Sequence, residues 1–477
     1  MDNIPNKSRK YFHNRLEDFL SRLRENIFTG QYKPGSYLPS ELELGSQYSL
    51  SKNSIRKGLD QLVAEGLIEK IPRVGTRVLQ PQGEGSVTLR FGYHSTNISE
   101  AKIFEMIEAF QQQYPYIKIQ SLSLPYDSKE YHHTVIEYFD NDMLDVMTMN
   151  AVNFNYFREN NQLHRLDTFE SSPTIYPFLL QPYTIEQSLY VLPFIFSPVV
   201  LCYNLKHFQE CGIPEPDSSW SWRTLIEAAK RLTIKEGSQH RYGFYFTPLA
   251  LNRWVVFLLQ SGDIVKKDDQ GKLQICRSNL MENLELCYNI IHNEGIFPHI
   301  LAENLTDAET LFQLEKVSMI MTTYFQLNQL QDTSVTYDIA PLPHSHQSKT
   351  LLLTIGMAMN KASKASEAAR KFAEFSISYD RQAYIRDHTL SIPTVKQVAE
   401  QRADSLFHRP FRFNMHKEIT SSYAHYTDLG LSQHTLNLRR NGAELKLYFS
   451  GLEAPDVFCQ KIEGLIDQAN LIDVTQE

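Results

Sequence analysis

Cysteine is scarce in this chain of 477 residues: Cys202, Cys211, Cys276, Cys287 and Cys459 are the full complement. An odd number with no Cys-x-x-Cys spacing indicates neither a disulfide framework nor a cysteine zinc site, so buried free thiols are the expectation. Long apolar runs are missing too. No stretch approaches the roughly 18 unbroken apolar residues of a membrane span. The opening Met1-Asp2-Asn3-Ile4-Pro5-Asn6-Lys7 has no apolar segment behind its basic residues, so no secretory signal is read and the cytoplasm is the expected compartment. Neither a phosphate-cradling Gly-x-x-x-x-Gly-Lys nor a Gly-x-Ser-x-Gly nucleophile elbow occurs.

What is present is ordinary globular composition, with 42% hydrophobic and 21% charged residues. The length exceeds what one core can organise and predicts two or three domains. Charge is unevenly divided. Residues 1–80 hold 13 Lys and Arg against 9 Asp and Glu, a net of +4, so of the whole-chain −8 the remainder carries about −12. Only the front piece suits a polyanion.

That front piece contains a readable motif. Ser40 with Glu43 three residues on forms a capping box that starts one helix. Ser51 can cap a second, in which Ile55, Leu59, Leu62 and Val63 recur at helical spacing and are expected to face inward. Lys52, Asn53, Arg56 and Lys57 occupy the opposite face near its amino end, where a recognition helix meets base edges and phosphates. Gly66 ends the helix, and two short strands joined by a tip with Arg73 and Gly75 form a wing suited to the backbone or minor groove. Ahead of the motif, Phe12, Leu16, Phe19, Leu20, Leu23 and Ile27 mark an amphipathic helix that packs on it.

Over roughly residues 11 to 79 this series resembles the GntR family of bacterial regulators. The resemblance rests on Pro34-Gly35, Leu38-Pro39-Ser40-Glu41, Ser51-Lys52-Asn53-Ser54-Ile55-Arg56, Glu65-Gly66-Leu67-Ile68 and Gly75-Thr76. It implies a winged helix-turn-helix that contacts double-stranded operator DNA through Ser40, Ser51, Lys52, Asn53, Ser54, Arg56, Lys57, Arg73, Gly75 and Thr76, in a homodimer. Two departures imply an altered operator preference. Leu42 stands where the family commonly has arginine, and Arg73 where the wing usually has its first glycine.

Residues 80–86, Gln-Pro-Gln-Gly-Glu-Gly-Ser, read as a linker between a head at 1–79 and a rear domain at 87–477. The rear domain opens with Val87, Leu89, Phe91 and Tyr93 alternating with polar residues, a strand. A helix with Ile103, Ile107 and Phe110 on one face follows, then strands at Ile117–Ile119 and Val146–Met149. This order predicts α/β architecture with parallel strands and a ligand beyond their carboxyl ends, near Tyr93-His94, Tyr126 and Asn150.

The same region resembles the extracellular solute-binding proteins of carbohydrate transporters. The similar segments include residues 110–119, Leu144-Asp145-Val146, Leu163-His164-Arg165-Leu166-Asp167, Leu192-Pro193-Phe194 through Asn204, and Tyr337-Asp338-Ile339-Ala340-Pro341. The resemblance implies a two-lobed, type 2 periplasmic-binding-protein-like α/β domain that closes on a solute. Matched cleft positions are Tyr93, His94, Tyr126, Asn150, Ser197, Trp254, Tyr324 and Gly356. With 27 Phe, 25 Tyr and 3 Trp the composition permits a sugar cleft of aromatic platforms and fixed polar groups. Asp145 reads as a structural hydrogen-bond partner, His344 and His346 as a poor metal site, and Arg386 as a surface ion pair.

The expected function is a DNA-binding regulator whose rear domain senses a small molecule, a sugar or oligosaccharide. No catalytic residue, cofactor or metal is expected. A second arrangement, a GntR-type head on a pyridoxal-phosphate aminotransferase-like domain as in regulators of the MocR type, requires a Schiff-base lysine with an acidic partner. Neither a convincing lysine setting nor the Asn-Pro-x-x-Pro-like segment is found. A carbohydrate transport receptor is opposed by the DNA-binding head.

Overall fold

The structure, a computed structural model, describes residues 19–20, 22–23, 26–27, 32–33, 35–64, 67–72, 74–79, 87–125, 131–235, 240–262, 265–267, 273–275, 277–293, 295–298, 306–401, 409–429, 443–461 and 463–464. The linker at 80–86 and two expected site residues, Arg73 and Tyr126, lie outside them. The chain divides into two units. One holds residues 1–91, 104–122 and 367–372, and the other holds residues 92–103, 123–366 and 373–477.

The head in the first unit follows the pattern of its residues. Helix α1 (Glu41–Tyr48) starts where Ser40 Oγ accepts from the Glu43 backbone N–H while the Glu43 carboxylate accepts from the Ser40 N–H at 2.8 Å, both halves of the capping box. These bonds hold the Glu43 carboxyl below the usual carboxylate range. Ser49, at φ 53, takes the left-handed conformation that stops α1. Ser51 Oγ then accepts from the Ser54 N–H and opens α2 (Lys52–Ala64). Strands β1 (Ile68–Ile71) and β2 (Gly75–Val78) pair antiparallel with Ile68 opposite Val78, completing the wing. Phe19, Leu20, Leu23, Leu44, Ile55, Leu59, Leu62 and Ile68 share one core. Val63 does not join it. It is 38% exposed, because the 100° step from Leu62 turns it away from the stripe that Ile55, Leu59 and Leu62 bury.

The chain continues through β3 (Val87–Tyr93), α3 (Asn97–Ala101), α4 (Ile103–Gln113), β4 (Ile117–Ser123), α5 (Tyr131–Asp140), β5 (Val146–Asn150) and α6 (Ala151–Glu159). Later come β6 (Leu192–Asn204), β7 (Tyr242–Tyr245), α7 (Leu251–Gln260), α8 (Asp307–Gln313), β8 (Val317–Thr323), α9 (Tyr324–Leu327), β9 (Tyr337–Ala340) and β10 (Thr350–Met359). In the first unit β3 lies beside β4, and Phe372 packs edge-on to both Phe91 and Phe110 at about 5 Å between centroids.

In the second unit the strand order is β5-β10-β6-β8-β7, with β9 also on β6. The sheet is mixed rather than parallel. β10 runs antiparallel to β5 and to β6, β8 and β9 run antiparallel to β6, and β8 is parallel to β7. The expectation of parallel strands, read from residues 87–150, does not carry over to β6, which is buried at all 13 positions and pairs antiparallel with β8, β9 and β10. A strand covered on both faces reads as a continuous apolar run whatever its direction.

Candidate functional site

The head presents its basic residues as the helical period requires. Lys52, Asn53, Arg56 and Lys57 are exposed on α2, while the apolar face is sealed in the core. Ser54 is turned inward at 3% exposure, its Oγ 2.6 Å from that of Ser51, so these two serines shape the start of α2 and Ser54 does not face solvent. Arg56 Nε reaches both carboxylate oxygens of Glu41, at 3.1 and 2.9 Å, which holds the side chain extended across the α1–α2 face. In the wing, Lys70 pairs with Asp60 at 2.6 Å and Arg77 Nε donates to Glu69 at 2.6 Å. Thr76 accepts from the Leu38 N–H through its carbonyl, and Gly75, at φ 145, takes a backbone conformation that side-chain-bearing residues avoid. Leu42 is 81% exposed beside Glu41.

In the second unit the segment after β3 meets the ends of β5 and α7 around a cavity of about 160 Å³. The His94 N–H donates to Thr148 Oγ1, tying the exit of β3 to β5. Asn150 ends β5 and caps α6, its Oδ1 accepting from the Asn153 N–H at 2.9 Å. Asn153 Nδ2 donates to the Tyr131 hydroxyl, and its Oδ1 lies 3.2 Å from His132 Nε2, a ring stacked on Tyr156 at 3.7 Å. On the α7 side, Arg253 is buried and donates from Nε to the Met321 carbonyl, fixing the helix start that brings Asn252 to the cavity. Burial lowers the pKa of Arg253 and raises that of Glu309, each change opposed by the attraction of the other.

Glu100 is the one carboxylate on the cavity wall among the described residues, and no Lys or Arg lines it. It is 6% exposed, and its Oε2 accepts from Thr96 Oγ1 and from Asn97 Nδ2, both at 2.9 Å. Desolvation pushes its carboxyl up to about 7, against the lowering effect of those two bonds. Thr96 Oγ1 is also 2.7 Å from His94 Nδ1, so His94, Thr96, Glu100 and Asn97 form one polar chain. Arg381, itself buried, anchors this segment by donating to the carbonyls of Ala101 and Lys102. Two buried oxygens on the wall, Asn97 Oδ1 and Thr354 Oγ1, have no hydrogen-bond partner among the described residues. Buried polar atoms of folded proteins are nearly always paired, so this wall is arranged to receive hydrogen bonds.

Of the cleft positions expected from sequence, His94 and Asn150 line the cavity. Tyr93, Ser197, Trp254, Tyr324 and Gly356 are placed elsewhere in the unit. Tyr93 is 7% and Trp254 3% exposed. The Ser197 hydroxyl donates to the Pro198 carbonyl and that of Tyr324 to the Phe413 carbonyl. At Gly356 an added Cβ would stand 2.5 Å from Val191 Cγ1 and 2.7 Å from the Leu192 carbonyl oxygen. Glu100, Asn97, Gln326 and Thr354 were not anticipated. The available signal for Glu100 was its place in a short polar segment directly after the first strand of the domain. Asp145 accepts from Ser363 Oγ at 2.6 Å and is buried. His346 pairs with Glu282, and Arg386 with Asp387, at sites away from this wall. Among the described residues no group of three metal-ligating side chains occurs, and no helix is long and apolar enough to cross a membrane.

Residues 105–408 match the family model described as bacterial extracellular solute-binding protein. The chain belongs to that family. Its head is a GntR helix-turn-helix domain, matching the model of bacterial regulatory proteins of the gntR family over residues 17–78. The head is similar to the uncharacterized HTH-type transcriptional regulator YieP of Escherichia coli, 41% identical over 58 residues, which cover 12% of this chain and 25% of YieP. A histidine utilization repressor of Klebsiella aerogenes is 27% identical over 134 residues, 27% of this chain and 52% of that protein. The chain thus spans a quarter to about half of the curated relatives it matches. Among solved structures, an ABC substrate-binding protein of Listeria monocytogenes in complex with cycloalternan superposes with a TM-score of 0.68 at 20% identity, over 80% of this chain and 99% of that one. Maltose-bound MalE3 of T. maritima gives 0.68 at 18%, over 80% and 100%. The solute-binding family member described here therefore has a winged helix-turn-helix head and a mixed α/β solute-binding protein fold.

Proposed function

We propose that this protein is a ligand-responsive transcriptional regulator: the GntR-type head binds operator DNA, and the solute-binding domain takes a small molecule, a sugar or oligosaccharide, in the cavity beyond β3 and β5. The observation that carries the reading is the union, in one chain, of a DNA-binding head with a cavity wall on which Asn97 Oδ1 and Thr354 Oγ1 are buried and have no partner among the described residues. Hydroxyl groups of a sugar would pair those oxygens, and Tyr131, Phe325 and Tyr426 supply aromatic surface on the same wall. The two domains act together in the cytoplasm as a homodimer, its heads on half-sites about 34–36 Å apart. Ligand-driven closure of two lobes changes the orientation of the heads, and the effect on operator binding equals the differential affinity of the ligand for the two arrangements. A coupling of about 1–3 kcal/mol would change occupancy roughly 5- to 150-fold. Its role is that of a sensor and not of an enzyme.

The test is a thermal-shift screen of the purified full chain against mono- and oligosaccharides, followed by anisotropy titration of its promoter DNA with and without each stabilising compound. A ligand at 100 times its dissociation constant stabilises by about 2.7 kcal/mol. A saturating ligand that leaves DNA affinity unaltered would refute the coupling, and failure to bind any promoter fragment would refute the regulatory role.

A further inference from the structure

We propose that the molecule recognised in this cavity carries an amine, held as its ammonium ion by Glu100. The inference rests on the reading of the cavity as the effector site and narrows the class of effector. It begins from the charge of the wall. Among the described residues lining the cavity, Glu100 has no basic neighbour to neutralise it, and the other titratable groups there are His94, Tyr131 and Tyr426. Its two hydrogen-bond partners, the Thr96 hydroxyl and the Asn97 amide, are neutral. A buried carboxylate satisfied only by neutral donors keeps most of its desolvation cost, and a paired cation is what offsets it.

The acceptors on the wall point the same way. Glu100, Asn97 Oδ1 and Thr354 Oγ1 offer oxygen lone pairs, and an ammonium group has three N–H donors and no acceptor. A neutral hydroxyl can donate once to this wall but leaves the negative charge uncompensated and more deeply buried. Tyr131 and Tyr426 add aromatic rings, which attract cations. The elevated pKa of Glu100 agrees: the free site resists the charge that a cationic ligand would restore.

The experiment compares matched neutral and amine-bearing sugars on the full-length protein by calorimetry and thermal shift. The probes are D-glucose, D-glucosamine and N-acetyl-D-glucosamine, the corresponding galactose series, and ethanolamine as the bare amine. We expect at least one amine to bind roughly ten- to hundred-fold tighter than its neutral parent and its N-acetyl derivative, the range for hydrogen bonds to charged groups. Glu100→Gln should reduce that preference to about one. The comparison within the wild-type protein stands even if the variant folds poorly. Binding of neutral sugars as tight as that of their amines, or a preference that survives Glu100→Gln, overturns the amine assignment while leaving the cavity reading intact. No binding by any probe counts against both the cavity as a sugar site and the amine within it.

Discussion

In the ligand-free protein Glu100→Gln should raise stability at pH 8 and leave it nearly level with wild type at pH 4.5. In the folded protein desolvation moves the Glu100 carboxyl from its ordinary 4.5 to about 7, so there it holds its proton over a range in which the unfolded chain has released it. The folded state binds more protons between those values, and stability therefore falls as pH rises through that window. The favourable contribution is complete below the unfolded pKa and lost by the time pH passes the folded one. At ~1.36 kcal/mol per pH unit, the interval from 4.5 to about 7 amounts to about 3 kcal/mol. Glutamine cannot ionise, and its amide oxygen can still accept from Thr96 and Asn97, so steric costs of the substitution are common to both pH values and cancel. With ~2–4 °C per kcal/mol for domains of 150–250 residues and less for a larger one, the melting transition of the solute-binding domain should lie on the order of 5 °C higher in the variant at pH 8. Calorimetric scans of both proteins at pH 4.5, 6 and 8 at fixed ionic strength would measure it. His94 is joined to Glu100 through Thr96, so the pair is repeated in a His94→Asn background. A difference between variant and wild type that does not grow with pH would refute the uncompensated-charge argument.

Arg56→Ala should weaken binding to duplex DNA and lower the slope of log K against log salt by about one, at little cost to the fold because its exposed pair with Glu41 is worth at most ~1 kcal/mol. Unchanged affinity and slope in anisotropy titrations would remove Arg56 from the interface. Ser40→Ala removes the side-chain half of the capping box, leaving the residue-40 backbone N–H to the Glu43 carboxylate, and should destabilise the head by about 1 kcal/mol, read from urea denaturation. Gly356→Ala should destabilise the second unit by roughly 1–3 kcal/mol, since the new methyl meets the Leu192 carbonyl. A melting temperature equal to that of wild type would show that β6 and β10 can give way there.

The head was legible because its information is local. A capping box needs only Ser40 and Glu43, and the division of α2 into an apolar and a basic face follows from 3.6 residues per turn. Val63, expected inward but exposed, lies at the edge of that stripe, where the period alone is least decisive. In the second domain the strands Val87–Tyr93, Ile117–Ser123 and Val146–Asn150 were also locally encoded, as was the place of His94 and Asn150 just past strand ends.

Strand direction and the remainder of the cavity wall were decided otherwise. The continuous apolar run of β6 specifies burial on both faces but not which neighbours it pairs with, and those partners arrive from residues more than 100 positions later. Trp254 and Tyr324 are aromatic residues of the kind a sugar cleft uses, yet packing surrounds them and gives the wall instead to Glu100, Asn97 and Thr354. The sequence alone determined where helices start, which faces are apolar and where the chain changes domain character, because those depend on neighbours within a few residues. Only the tertiary structure decided that, among the described residues, a carboxylate would lie buried without a cation beside two unpaired oxygens, since desolvation depends on everything that surrounds a group in space.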